Sequence, residues 1–322
     1  MTSHIVVLDP ILEERAVRMR AMLPPGFELS HATARDDEHL KQIIADADYA
    51  ISGQRAVTAD ILRAAKKLKL LHKWGVGVDN FDLDAARDLG VKVARTTGSN
   101  ALPVAESTVG LMLALLRNIV AGHALLQTGD WMGVRRGGEG MLLTRKTVGL
   151  VGFGHIGKAV ARMLRGFECR ILYHKPTRLA AQEEAELGVE FADLPRLLAE
   201  SDVVSLHCPL TPQTRDMIDR RALESMKRSV ILVNMARGGI VVEDDLIGAL
   251  RDNIIRGAAT DVYAEEPLPP DSPLLNLPNL VTTPHIAALA NDTFEKSLRQ
   301  IYKNILRVEA GEPVDPADSV VA

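Results

Sequence analysis

Three segments of the chain carry side chains that could move a proton and hold an anion. They are Asn234-Met235-Ala236-Arg237-Gly238-Gly239, Asp261-Val262-Tyr263-Ala264-Glu265-Glu266-Pro267 and Thr283-Pro284-His285-Ile286-Ala287. His285 is the natural acid or base, because imidazole titrates near neutral pH. A carboxylate such as Glu266 beside it would favour the imidazolium and hold the ring in one tautomer and orientation. Arg237 offers a planar fork that can grip a carboxylate and polarise a carbonyl, for which lysine has the wrong geometry. Taken singly, each has a plainer reading: a satisfied structural histidine, an ion-pair arginine, a solvated loop acid. All three follow apolar runs that read as strands, and the C-terminal ends of parallel strands face the ligand crevice of an open sheet. There they can converge.

A second constellation lies upstream. The apolar run Thr147 to Phe153 leads straight into Gly152-Phe153-Gly154-His155-Ile156-Gly157, followed by a helical stretch from Lys158 to Leu164. In that strand-turn-helix context Gly152 permits a tight turn, Gly154 the approach of a pyrophosphate to backbone, and Gly157 close packing of helix on strand. The N–H groups at the helix start would meet the anion. The next strand ends His174-Lys175-Pro176-Thr177-Arg178, with no acid where an NAD-binding chain usually places one about 20 residues on. Lys175, Thr177 and Arg178 offer two cations and a hydroxyl to a 2'-phosphate, so NADP(H) is the expected cofactor, with NAD(H) as the alternative. A merely solvated basic corner is the plainer reading. The opening turn of the chain, Leu8-Asp9-Pro10-Ile11, has no glycine, and its sheet is not expected to bind a dinucleotide.

Short β-branched runs alternate with amphipathic helical stretches along nearly the whole chain, the pattern of parallel sheets built from βαβ units. One series comprises His4 to Leu8, Phe27 to His31, Tyr49 to Ser52, Leu68 to Trp74 and Val91 to Arg95. A second comprises Thr147 to Phe153, Cys169 to Lys175, Asp202 to Cys208, Ser229 to Met235, Gly257 to Tyr263 and Leu280 to His285. Between them Ala101 to Val120 reads as one long apolar helix, followed by a polar, glycine-bearing stretch at 127–140. Phe294, Leu298, Ile301, Ile305 and Val308 recur at three and four residues, which predicts an amphipathic helix packed back on the first domain. The tail from Gly311 carries no signal of its own.

The 322 residues suit two domains. Hydrophobic residues at 47% and charged residues at 25% are the balance of a globular chain, which excludes disordered and collagen-like readings. With 38 Lys and Arg against 42 Asp and Glu, no basic field exists for a nucleic-acid partner. Cys169 and Cys208 cannot form a disulfide framework, and no CxxC-type metal pattern is present, so no metal is expected. The N-terminus has no leader pattern and no apolar run reaches a membrane-spanning length, so a cytoplasmic protein without a membrane partner is expected.

With Gly75-Val76-Gly77-Val78-Asp79-Asn80, Pro103-Val104-Ala105-Glu106, Gly129-Asp130-Trp131 and His207-Cys208-Pro209-Leu210-Thr211 added, the chain resembles the D-isomer-specific 2-hydroxyacid dehydrogenase family over nearly its whole length. The resemblance implies two doubly wound α/β domains. A Rossmann cofactor domain, residues 101–287, is expected as an insertion in a flavodoxin-like substrate domain, residues 1–100 and 288–322, and a hinge where the two meet could close the cleft on substrate.

It further implies hydride exchange between a nicotinamide and a small 2-oxo or 2-hydroxy acid, with His285 as acid and base, Glu266 its partner and Arg237 on the substrate. Asp261 would accept from the nicotinamide carboxamide. The other cofactor positions carried over are Val104, Gly152, Gly154, His155, Ile156, Gly157, His174, Lys175, Thr177, Arg178, His207, Cys208, Pro209, Thr214, Met235, Ala236, Arg237 and His285. Val76 and Gly77 would take the substrate carboxylate on backbone N–H groups, and Asn100 matches an asparagine of the formate branch. That branch pairs its histidine with glutamine, so Glu266 speaks against formate; Val76, in place of a lysine, speaks against phosphite. Glyoxylate and hydroxypyruvate reductases are the nearest in character. The alternatives are a phosphoglycerate dehydrogenase-like enzyme, or a dinucleotide-sensing corepressor on the same fold. A homodimer through the Ala101 to Val120 helix and the Gly129-Asp130-Trp131 arm is expected. Trp74 either lines the substrate site or ends a strand in the core.

Overall fold

The computed structural model describes residues 2–133 and 139–322. Of the polar 127–140 stretch, residues 134–138 lie outside the described residues. In chain order the strands are β1 (Ser3–Val7), β2 (Phe27–His31), β3 (Tyr49–Ser52), β4 (Leu70–Lys73), β5 (Lys92–Arg95), β6 (Thr147–Val151) and β7 (Arg170–His174). They continue with β8 (Val189–Phe191), β9 (Val203–Leu206), β10 (Ile231–Asn234), β11 (Gly257–Thr260), β12 (Leu280–Thr282) and β13 (Ser319–Val321). The chain divides into two compact units, Met1–Asn100 with Ala290–Ala322, and Ala101–Leu289.

The first unit holds a six-stranded sheet in the order β13-β5-β4-β3-β1-β2. Apart from β13 the strands are parallel, and β1 to β5 run 2-1-3-4-5, the flavodoxin-like winding. The central strands are buried on both sides, as in Tyr49-Ala50-Ile51-Ser52 and Leu70-Leu71-His72-Lys73, which are buried throughout. The C-terminal helix Asn291–Glu309 buries Phe294, Leu298, Ile301, Tyr302 and Ile305 against one face. Each such side chain contributes roughly 1.5 to 3 kcal/mol when fully buried. Its polar interruption, Asn304, is fully buried and donates to His72 Nε2 at 3.0 Å and to Asp318 at 2.9 Å.

The same network orders the tail. Asp318 accepts from the backbone of Thr97 and from Gln300, and β13 then pairs antiparallel with β5. A tail without apolar periodicity thus becomes a strand through polar contacts that no local pattern announces. The short edge strand β8 was likewise not foreseen.

The second unit holds a seven-stranded sheet in the order β12-β11-β10-β9-β6-β7-β8. All its ladders are parallel. Counted from β6, the order is 3-2-1-4-5-6 with a seventh strand added, the Rossmann winding, whose direction reverses between β6 and β9. Strand β11 is Gly-Ala-Ala-Thr because the apolar helix Ala101–Leu116 packs across it; a side chain at Gly257 would meet Leu115. The expected single helix to Val120 is two. Ala101–Leu116 and Ile119–Gln127 meet at 61°, and Asn118 takes the left-handed conformation (φ 53°) between them. Among the described residues no single helix is long and apolar enough to cross a membrane; the bent pair reaches that length only jointly.

Candidate active site

The glycine turn follows β6 as its sequence requires. Gly152 has φ +92°, and a Cβ there would run into the His207–Cys208 backbone, which leaves β9 beside it. On Gly157 a Cβ would meet the Gly152 carbonyl, so the helix His155–Leu164 could not seat on the strand. Gly154, the N-cap, and His155, the first helical residue, are exposed, Ile156 is half-buried, and nothing crowds the space a Gly154 side chain would take. This turn lies where the strand order reverses, the usual ligand position in such sheets. It fits a pyrophosphate.

The end of β7 differs from the expectation in one respect. Lys175 is half-buried with no ion pair among the described residues, and Thr177 is exposed. Arg178, however, is held by both oxygens of Glu184 at 2.9 and 2.7 Å. Glu184 also accepts from Tyr173 Oη at 2.6 Å, and the bonds from Arg178 and Tyr173 hold its carboxyl down at about 2. The missing acid is therefore supplied from the next helix, six residues on, and it neutralises Arg178 rather than reaching the Lys175 position. His174 is fixed by Ala192 O at 3.1 Å.

Beyond β9, His207 is forced neutral by burial, its imidazole pushed down to about 3, and the Cys208 thiol is pushed up to about 11 by the same cause. Neither side chain is a candidate for charge chemistry. Pro209 is exposed, and its carbonyl accepts from Thr214 Oγ1 at 2.6 Å. Val104 is buried inside the Ala101–Leu116 helix.

The ends of β10, β11 and β12 stand side by side in the sheet. After β10, Asn234 staples the turn, accepting from Ala236 N at 3.1 Å and donating to Arg237 O at 2.9 Å. Met235 and Ala236 are buried, while Arg237 is half-buried with Nη1 on Ala236 O at 2.7 Å. Gly238 is obligatory: a Cβ would overlap the Tyr263–Ala264 backbone. That close approach places the Arg237 turn against the segment that carries Glu266.

Glu266 and His285 meet at 2.6 Å between Oε2 and Nδ1, each side chain about 30% exposed. Glu266 Oε1 accepts from Tyr263 N at 3.0 Å. Burial works against its ionisation, but the bond and charge of His285, the Tyr263 N–H and the charge of Arg237 outweigh it and hold the carboxyl below its usual range. Arg237, Glu266 and His285 thus form one electrostatic cluster.

His285 has φ +51°, a left-handed conformation that costs a non-glycine residue free energy and is found at functional sites held by their surroundings. The holding group is Asp261, 2% exposed. Its Oδ1 accepts from Thr283 Oγ1 at 2.6 Å and Ile286 N at 2.9 Å, and its Oδ2 from Ala287 N at 2.9 Å. Tyr263 Oη adds a bond to Thr283 O at 2.8 Å. Asp261 thereby spends three of about four acceptor positions on the segment that presents His285. Thr283, Tyr263 and Asn234 went unnoticed in the sequence because their role is to place backbone.

The remaining candidates lie in the first unit. Val76 and Gly77 are half-buried in the loop after β4, where Gly75 (φ +145°) exchanges hydrogen bonds with Thr96. Lys73, buried beneath it, donates to Asn80 Oδ1 at 2.6 Å and to Gly53 O. Asn100 ends the first stretch of this unit, its Oδ1 sealed from solvent with no hydrogen-bond donor. Among the described residues no group of three or more His, Cys, Asp or Glu is placed to hold a metal.

Residues 109–287 match the family described as D-isomer specific 2-hydroxyacid dehydrogenase, NAD binding domain. A hydroxypyruvate reductase of Thermotoga maritima is 40% identical over 89% of this chain and 92% of its own length. A D-3-phosphoglycerate dehydrogenase of Methanocaldococcus jannaschii is 39% identical over 96% of this chain, which spans only 58% of that relative. Among solved structures, the NAD-dependent formate dehydrogenase of Staphylococcus aureus in complex with NAD aligns with a TM-score of 0.88 at 30% identity, over 100% of this chain and 99% of that one. The chain belongs to the D-isomer-specific 2-hydroxyacid dehydrogenase family.

Proposed function

We propose that this chain is a D-2-hydroxyacid dehydrogenase that reduces small 2-oxo acids of the glyoxylate and hydroxypyruvate type and prefers NADP(H). The observation that carries the reading is the 2.6 Å pairing of His285 with Glu266 on a left-handed turn held by Asp261. The groups that would hold the cofactor are the turn Gly152 to Gly157, the end of β7, the backbone of 207–209 and the loop after β10. A bound reduced nicotinamide supplies the hydride to the 2-oxo carbon.

The chain's own residues supply the rest. Glu266 occupies Nδ1 of His285, so Nε2 is the atom that exchanges the proton with the substrate oxygen, giving it in reduction and taking it back in oxidation. Arg237 binds the carboxylate and polarises the carbonyl, and its cation stabilises charge developing on that oxygen. Backbone N–H groups of Val76 and Gly77 take the carboxylate. With glutamate rather than glutamine beside the histidine, the site suits a 2-oxo acid rather than formate.

Preference for NADP(H) rests chiefly on Lys175, since Arg178 already has Glu184. One charge-assisted hydrogen bond is worth roughly 1.5 to 3 kcal/mol, or about tenfold to a hundredfold in selectivity. The test is product analysis. Hydroxypyruvate with NADPH deuterated at the transferable position should yield D-glycerate labelled at C2 on chiral chromatography and mass spectrometry. Unlabelled or L product contradicts the reading.

A homodimer belongs to the same proposal. The helix Ile119–Gln127 buries none of its residues within the chain, and Ile119, Val120, Leu126, Trp131 and Met132 are 46 to 70% exposed. Such a patch usually marks an interface. Light scattering should give twice the chain mass of 35.0 kDa.

A further inference from the structure

In the first unit, Arg15 is a half-buried cation without a hydrogen-bonding side-chain partner among the described residues. The helix Glu13–Ala21 carries Arg15, Arg18 and Arg20. Arg18 donates to Asn291 at 2.7 Å and Arg20 to Glu13 at 2.6 Å. Arg15 has neither hydrogen bond nor ion pair from its guanidinium among the described residues, and its Nε is sealed from solvent. Asp9, the acid whose charge acts on it, is committed elsewhere, accepting from the backbone N–H groups of Gly53, Gln54 and Arg55. What fixes Arg15 is aromatic: its Cζ lies 4.7 Å from the Trp74 ring centroid and 5.2 Å from that of Phe294.

A guanidinium is a planar array of donors with no acceptor, and a sealed N–H without a partner is costly enough to need an explanation. Stacking on Trp74 holds the plane in place, so little freedom remains to be lost when an anion binds. The position is also informative. The helix begins where β1 ends, on the C-terminal edge of the sheet, where open α/β sheets take ligands. Trp74 directly follows β4 and precedes Val76 by two residues, about 7 Å of chain at most.

We propose that Arg15 binds a second anionic group on the substrate, so that the preferred 2-oxo acid bears a distal carboxylate or phosphate ester. This rests on the reading above, in which Val76 and Gly77 take the first carboxylate. Arg15 is then a specificity residue, remote from the reacting carbon.

The test compares kcat/KM for hydroxypyruvate, oxaloacetate and 3-phosphohydroxypyruvate in the wild type, Arg15→Gln and Arg15→Lys. The wild type should favour at least one anion-bearing substrate over hydroxypyruvate by about tenfold or more, and which one wins identifies the anion. Arg15→Gln should abolish that ratio, mainly through KM, and Arg15→Lys should restore part of it, since charge returns without the fork. A thermal melt and NADPH titration of each variant establish that it is folded. Reduction of hydroxypyruvate with no gain from a second anion, or a gain that survives Arg15→Gln, overturns this inference alone. No turnover of any of the three overturns it together with the proposed reaction.

Discussion

Glu266 divides its two oxygens between His285 Nδ1 at 2.6 Å and its neighbour Tyr263 N at 3.0 Å, so the carboxylate that orients the imidazole is itself tied to backbone. Glu266→Gln keeps the shape and removes the charge. A fall of about 10- to 100-fold in kcat is expected, with KM for the cofactor changed less than threefold, because general acid–base work contributes roughly 10²- to 10⁴-fold. Steady-state kinetics at saturating cofactor check this. An unchanged kcat would make the pair structural.

Asp261 acts on His285 through the segment that carries it. Asp261→Asn presents an N–H₂ where Thr283 Oγ1 and Ile286 N, or Ala287 N, need an acceptor. The left-handed turn should loosen, lowering kcat by about 10²-fold and stability by about 1 to 3 kcal/mol for the unsatisfied buried donors. Single-turnover rates together with a urea melt separate the two effects. Full activity would show that the turn does not depend on this clamp.

Lys175 and Arg178 should behave differently, although the sequence places them three residues apart. Lys175→Asp is expected to reverse NADPH preference toward NADH by about tenfold or more, by removing a cation and supplying a ribose acceptor. Arg178→Gln should shift preference much less, since that guanidinium is bound by Glu184. The ratio of kcat/KM for the two cofactors reads both variants. An equal effect of the two substitutions would contradict the assignment.

Stability should respond to acid through His72. Burial drives its imidazole down to about 4 against the opposing pull of Asp318 and of the bond to Lys73 O. The unfolded chain binds the proton near pH 6.5 and the folded chain does not until about 4, so stability present above pH 6.5 is lost as pH falls through that window. The loss is about 3 kcal/mol when complete. His207, held down at about 3, adds a loss of the same sign in the other unit. Urea midpoints at pH 7.5 and 4.5 should differ less in His72→Gln than in the wild type. Identical differences would place the acid sensitivity elsewhere.

Much of this was legible because parallel sheets write themselves as apolar runs. The six second-unit strands expected from Thr147 to His285 all exist, each one to three residues shorter at its C-terminal end, where the loops that carry Gly152, Asp261 and His285 begin. What escaped was held by contacts distant in sequence or carried by too few residues. β13 depends on Asp318 meeting Gln300 and Thr97, and β8 is three residues at a sheet edge. Asn118 breaks a helix with no glycine or proline at that point to signal it. Arg178 looked available because Glu184 sits one helical element further on. The helix at Asn291–Glu309 was foreseen from its apolar spacing, whereas Asn304, which ties it to His72 and the tail, interrupts that spacing.

The most direct test of the central claim is the initial rate of reduced-cofactor oxidation with glyoxylate and with hydroxypyruvate, using NADPH and NADH in turn, in the wild type and in His285→Ala. Turnover with NADPH ahead of NADH, lost by about 10²- to 10⁴-fold in His285→Ala while NADPH still binds, is the predicted result. Turnover that survives the loss of His285, or no turnover of either acid with either cofactor, would contradict it.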